Sequence, residues 1–223
     1  MNRSLLLSGA LAAALSLAAC GERAEVVEDG PVENASAESG VGSNPASNAV
    51  QDAASGAVGA ASAVTAGRTT GGFVTGAAMG DMFEIESSKI ALEKAQSPDL
   101  KRYAQTMIDD HTRMSAELKT AAATAQGVTV PTALDERRQG MLDNLRQAPA
   151  AGFDEVYRNQ QIASHRESLE FAQTYADAGD NAALKAHAVK GAPMIQNHLQ
   201  MITAMNEQAE GAGAGAANRS AAN

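Results

Sequence analysis

Four polar residues fall on the apolar faces of predicted helices, where a buried charge or imidazole needs a partner. They are Glu84, His111, His165 and His198. Small residues surround the wheel position of Glu84, and the three histidines share their faces with Leu, Ile, Met and Ala. A carboxylate combined with imidazoles is a ligand set that suits one Zn, Fe, Cu or Ni ion.

The depth of these residues along their helices favours a single polar layer. Glu84, His111 and His165 each fall near the midpoint of a predicted helix, and antiparallel helices of similar length bring their midpoints level. His198 is near the middle of the last helical segment. Tyr157 and Gln161 lie on the same side of their helix as His165 and are the candidates to support the layer.

Three interpretations of this layer stay open: a metal or small-ligand site, a closed hydrogen-bond network that fixes helix register, or a chance alignment. The network requires every ring nitrogen to be paired. The metal site requires the side chains within about 4–5 Å of a common point. Ile108 and Ile195 stand three residues before His111 and His198, so the Glu-x-x-His pairs of di-iron bundles are absent and at most one ion is expected.

Two other polar residues near this layer are expected outside it. His187 precedes Gly191 and Pro193 and is expected at the surface. Asp110 lies off the inner face and is expected in solvent, although it could also orient a ring of a neighbouring helix. The domain has no thiol, no Gly-x-Ser-x-Gly elbow and no phosphate-binding glycine loop, so no catalytic residue is assigned.

The elements that carry these residues form an all-α domain over residues 71–209. The apolar period predicts four main helices of a bundle and a short extra helix in the middle connection. Thr132 with Asp135 resembles a capping box that opens the short helix. The expected helices cover about 72–96, 98–125, 133–147, 153–178 and 181–209, the last interrupted at Gly191 and Pro193.

The N-terminus is typical of an exported bacterial lipoprotein. Arg3 precedes an apolar stretch over residues 5–19 that is short for a membrane span, and the run Leu17-Ala18-Ala19-Cys20-Gly21 resembles a lipobox. The alternative is an ordinary signal peptide with a chance cysteine. We predict a signal peptide over residues 1–19 and acylation at Cys20. Because glycine rather than aspartate follows Cys20, we expect an outer-membrane anchor that faces the periplasm.

The segments on either side of the bundle are poor in large apolar residues. Residues 20–70 are expected to form a flexible tether, in which the Ala-rich part, 46–66, is at most a marginal helix on its own. Residues 210–223 are expected to be a disordered tail. The net charge of −9 carries no basic patch, so the membrane at Cys20 is the expected partner and nucleic acid is not. No protein partner is indicated.

Several stretches of the domain, taken together over about 71–206, resemble the bacterial family of domains of unknown function DUF4142. The resemblance implies a ferritin-like four-helix fold and an exported location, without a reaction or a cofactor. The ferritin ligand motif is missing, so ferroxidase activity does not follow. The matching residues are Phe73-Val74, Ala77, Glu84-Ile85, Ala91, Ala95, Tyr103-Ala104, Met107-Ile108-Asp109-Asp110-His111, Phe153-Asp154, Tyr157, Gln161, His165 and His198-Leu199.

Overall fold

A computed structural model describes residues 45–221, and over this range the chain is helical and contains no strand. The signal peptide, Cys20 and the first part of the predicted tether lie outside the described residues. The helices are α1 (Pro45–Ala66), α2 (Thr70–Lys94), α3 (Pro98–Ala122), α4 (Glu136–Gln147), α5 (Ala150–Ala178) and α6 (Ala182–Ala221). None of these helices is both long and apolar enough to cross a bilayer.

Helices α2, α3, α5 and α6 form the predicted four-helix bundle. Helix α2 packs against α3 and α5, and α6 packs against the same two helices, which closes the ring of neighbours. Helix α4 is the predicted extra helix in the middle connection, and it contacts α2 and α5. The all-α class and this arrangement are therefore confirmed.

Side-chain caps mark the starts of several helices, among them α3 and α4. Ser97 precedes Pro98, and its hydroxyl accepts a hydrogen bond from the backbone N–H of Leu100. Helix α4 begins at Glu136, later than expected, because Asp135 is its N-cap and accepts from the N–H of Arg138 at 2.7 Å. Thr132 is exposed and lies before this helix.

Helix α6 corrects three sequence expectations. It runs continuously through Pro193, where an interruption was expected. Pro193 and Val189 are exposed, so the carbonyl that loses its helical donor lies on the solvent side and is open to water. The continuous helix turns His187 inward, where it is 8% exposed rather than at the surface. The disordered tail expected from residue 210 is wrong as far as Ala221, since α6 continues to that residue.

Helix α1 occupies part of the segment expected to be a tether, so that prediction is wrong for residues 45–66. Small residues let α1 approach α5 closely: a Cβ at Gly56 would lie 3.0 Å from Cβ of Ala163. Buried Asp52 accepts hydrogen bonds from Asn144 at 2.8 Å and from Gln160 at 2.6 Å. A helix that is marginal alone is stabilised here by docking on the bundle.

The polar layer lies between two apolar clusters of the bundle core. One cluster holds the first half of α3 and of α5 and the end of α2; the other holds the opposite ends of those helices. Glu84, His111 and His165 fall between the two clusters along their helices. The apolar clusters therefore fix the helices whose midpoints carry the polar residues.

Candidate metal centre

Three imidazoles from three different helices meet at the centre of the bundle. His111 of α3, His165 of α5 and His198 of α6 have ring centroids 5.5–5.6 Å apart. One nitrogen from each ring belongs to a set whose members all lie within 4.8 Å of one another. Each histidine is at most 1% exposed. Within the described residues, this set has the spacing to hold a metal ion.

Each ring is held at one nitrogen and left without a partner at the other. Nδ1 of His111 binds Oδ1 of Asp81 at 2.8 Å, and Nε2 of His198 binds Oδ2 of Asp110 at 2.9 Å. Nδ1 of His165 lies 2.9 Å from the main-chain carbonyl of Gln161, to which it donates. The remaining nitrogens, Nε2 of His111, Nε2 of His165 and Nδ1 of His198, are buried and form no hydrogen bond.

This pairing is the one that metal-binding histidines show. A carboxylate or carbonyl behind the ring accepts its N–H, which fixes the tautomer and leaves the opposite lone pair for the ion. Asp110 is partly exposed and serves as the orienting group that the sequence offered as an alternative. Asp81 was missed, although it precedes Glu84 by three residues and therefore shares its helix face.

Glu84 lies beside the three-histidine set rather than within it. Its Oε1 is 3.4 Å from Nδ1 of His165, on the side of the ring that faces away from the unpartnered Nε2. The side chain is fully buried and neither carboxylate oxygen has a hydrogen-bond partner. Burial raises the pKa of Glu84 above its usual range, while the neighbouring His111 acts in the opposite direction.

The charge state of the histidines suits metal binding. Burial lowers the pKa of His165 to about 3 and that of His198 to about 4, so both rings are neutral near neutral pH. Burial also opposes protonation of His111, but the hydrogen bond to Asp81 and the negative charges of Asp81, Glu84 and Asp110 together outweigh it and raise the pKa of His111. A metal ion would compete with a proton mainly at His111.

The two predicted supporting residues lie in the same core but bind other partners. The hydroxyl of Tyr157 lies 2.8 Å from the hydroxyl of Ser88. The amide nitrogen of Gln161 donates to the hydroxyl of Ser87 at 3.1 Å. Neither side chain hydrogen-bonds a histidine among the described residues, and only the main chain of Gln161 orients one.

Comparison with known proteins places the chain in one family. The sequence profile described as "Domain of unknown function (DUF4142)" matches residues 53–205. This range contains the three histidines and begins inside α1, which agrees with the docking of that helix on the bundle. No curated protein and no solved structure matches the chain. Since the match covers more than half of the chain, the protein belongs to the DUF4142 family.

Proposed function

We propose that this protein is a lipid-anchored envelope protein whose bundle binds one transition-metal ion through His111, His165 and His198. One observation carries the metal proposal: three buried imidazole nitrogens lack hydrogen-bond partners in a set of rings with metal-ligand spacing. Each buried polar atom without a partner costs about 1–3 kcal/mol. A shared metal ion would remove that cost at all three nitrogens.

The purely architectural alternative fits these contacts less well. A network that only fixes helix register requires the ring nitrogens to be paired, and one nitrogen of each ring is not. The orienting bonds to Asp81, Asp110 and the Gln161 carbonyl account for the other three nitrogens. These bonds hold the rings in position before any ion arrives, which lowers the entropy cost of binding.

Three imidazoles leave part of the coordination sphere of Zn, Fe, Cu or Ni for another ligand. Glu84 places a buried carboxyl group beside the set, and in its ionised form this group would offset the charge of a divalent ion. A site with an open position can bind a further ligand, and with Fe or Cu it can support redox chemistry. We place that redox activity second, because it depends on metal binding.

The anchoring part of the proposal rests on the sequence. The run Leu17-Ala18-Ala19-Cys20-Gly21 after a short apolar stretch supports acylation at Cys20. Several acyl chains on one cysteine give stable attachment to a membrane. We therefore propose that the bundle works at the periplasmic face of the outer membrane, where it meets metal ions outside the cytoplasm.

Metal retention by the full-length protein tests this function. The chelator-stripped protein is incubated separately with Zn(II), Fe(II), Cu(II) and Ni(II), desalted and analysed for bound metal. We expect a retained equivalent of at least one ion that the double variant His111→Ala/His165→Ala lacks. Tyr157→Phe is the matched control, because it breaks the buried bond to Ser88 and leaves the imidazoles in place.

Either of two results would overturn the proposal. If the wild type retains no metal, or the double variant retains as much as the wild type, the three histidines are not a metal site. If the double variant is then only less stable than the wild type, the polar layer has an architectural role. The function of the protein would in that case lie in binding protein partners in the envelope.

A further inference from the structure

A small cavity lies beside the polar layer, on the Asp81 side of His111. Its volume is about 20 Å³, which is room for one water molecule or one metal ion. Most of its wall is apolar and includes Phe73 and Ile195. Besides His111 and Ser168, the wall includes Asp81, Met114 and His187, whose side chains carry donor atoms that can bind a cation.

Asp81, which lines this cavity, has one carboxylate oxygen without a hydrogen-bond partner. Its Oδ1 is engaged by His111, but its Oδ2 is buried and has no hydrogen-bond partner. The residue is 4% exposed. A carboxylate oxygen that is shielded from water and left unpaired favours a cation or a donor at the same position. This atom is independent of the nitrogens that define the three-histidine set.

His187 closes the cavity from α6. It is 8% exposed, and its ring packs edge-on against Phe73 with centroids 6.3 Å apart. Burial lowers the pKa of His187, and Lys190 acts in the same direction against Asp81 and Glu117. The neutral ring keeps a lone pair for a metal ion.

Met114 adds a thioether from α3, one turn after His111. It is 7% exposed, and a Cβ at Gly191 would lie only 2.9 Å from its terminal methyl group. The absence of a side chain at Gly191 therefore makes room for the end of Met114 in the cavity wall. A thioether is a weak ligand for hard ions but favours cuprous copper.

From these contacts we propose a second cation site, formed by Asp81, Met114 and His187, that takes one cuprous ion. His111 also lines the cavity, and Asp81 would connect the two positions, because its Oδ1 is engaged by His111 and its Oδ2 would bind the ion. The proposal does not depend on the three-histidine site being occupied. A single water molecule between Asp81 and His187 is the competing occupant, and it predicts no copper at this position.

The test counts cuprous ions bound by the full-length protein under anaerobic conditions, in competition with a cuprous chelator. We expect the wild type to bind one cuprous equivalent more than Met114→Leu and His187→Gln do. Met194→Leu is the matched control: Met194 packs in the same apolar cluster as Met114 but does not line the cavity. This control should bind as much copper as the wild type.

A spectroscopic measurement separates ligation from folding. X-ray absorption of the copper-loaded protein should show a sulfur neighbour that Met114→Leu removes and Met194→Leu keeps. The inference is overturned if Met114→Leu and His187→Gln bind as much copper as the wild type and the sulfur signal is unchanged.

The same copper measurement distinguishes the second cation site from the three-histidine site. Loss of copper in His165→Ala, with the Met114-dependent equivalent retained, supports both sites. Retention of a single equivalent that depends on Met114 and not on His165 would sustain this inference and refute cuprous binding at the three-histidine site.

Discussion

The carboxylate of Asp110 binds Nε2 of His198 at 2.9 Å, while the next residue, His111, points into the core and binds Asp81. Successive residues of a helix are separated by about 100° around its axis. The two neighbouring residues of α3 therefore contact different helices: Asp110 contacts α6 and His111 contacts α2. Two rings of the three-histidine set are thereby oriented by interhelical bonds that involve one dipeptide of α3.

Asp110→Asn should weaken metal binding without removing a ligand. The amide is a poorer acceptor than the carboxylate and makes His198 a less basic ligand, so we expect the affinity to fall about 10–100-fold. Asp109→Asn is the control, since Asp109 is exposed and its carboxylate accepts a bond from Gln105. Competition with a chelator of known affinity measures the change. Equal affinities in the two variants would contradict the orienting role of Asp110.

His165→Gln should flatten the pH dependence of the metal-free protein. Burial holds the pKa of His165 at about 3 in the folded state, against 6.5 for an unperturbed ring. As the pH falls below about 6.5, the unfolded chain takes up a proton that the folded ring excludes, so stability is lost by about 1.4 kcal/mol per pH unit from this residue.

Urea unfolding in the presence of a chelator, at several pH values between about 6.5 and 4, measures this slope. The variant should lose stability less steeply than the wild type by the contribution of about one proton. Parallel slopes in the two proteins would show that His165 takes up its proton equally in both states.

Glu84→Gln should separate metal binding from stability. Burial raises the pKa of Glu84, so as the pH rises above its unfolded value of 4.5 the unfolded chain releases a proton that the folded metal-free protein keeps, and stability falls. The neutral amide removes this penalty, and we expect the free energy of unfolding at neutral pH to rise or to stay within about 1 kcal/mol.

Metal affinity should respond in the opposite direction, falling about tenfold or more as the charge beside His165 is lost. Glu86→Gln is the control on the same helix, since Glu86 is partly exposed and pairs with Lys89. Titration calorimetry and urea unfolding give the two quantities. Strong destabilisation with unchanged affinity would mean that Glu84 acts only in folding.

Gly59→Ala should loosen α1 from the bundle. A Cβ at Gly59 would collide with the carboxylate of Glu167, which also binds Arg137 and Arg138. We expect a loss of about 1–3 kcal/mol in stability and faster proteolysis within α1. Gly71→Ala is the control, because a Cβ there meets nothing within 4 Å. Indistinguishable proteolysis of both variants would argue against the docked helix.

Cys20→Ser should abolish lipid attachment. Each buried methylene of an acyl chain contributes about 0.8 kcal/mol to membrane binding, and serine cannot carry the thioether that links the lipid. Incorporation of labelled palmitate into the full-length chain measures the modification. Ser16→Ala, a change within the apolar stretch before the cysteine, should still be labelled. Labelling of Cys20→Ser would rule out acylation at this residue.

The sequence predicts the meeting of the three histidines but not the contacts that hold them. Similar depth along their predicted helices indicated that His111, His165 and His198 could share one layer, and the structure brings the three rings together. The partners of the rings depend on helix rotation, and the place of Glu84 outside the set follows from such a rotation. Asp81 shares a face with Glu84 and was accessible to the same wheel argument, whereas His187 required knowing that Pro193 does not end α6.

Helix α1 shows why composition misleads in this chain. Alanine and glycine carry little apolar area, so residues 45–66 do not predict a buried helix. Their small size is what allows close contact with α5, as at Gly56 and Ala163. The hydrogen bonds that complete the contact are donated by Asn144 of α4 and Gln160 of α5. Both residues are distant from α1 in the sequence, so no local pattern predicts these bonds.

The burial of all three imidazoles sets a limit on how fast an ion could enter or leave. No ring of the set is more than 1% exposed, so exchange requires the helices to part before a ligand can be reached. At high metal concentration the loading rate should therefore reach a plateau equal to the rate of opening. An ion once captured would be kept by slow kinetics as well as by affinity, which suits a protein that holds metal rather than one that passes it on quickly.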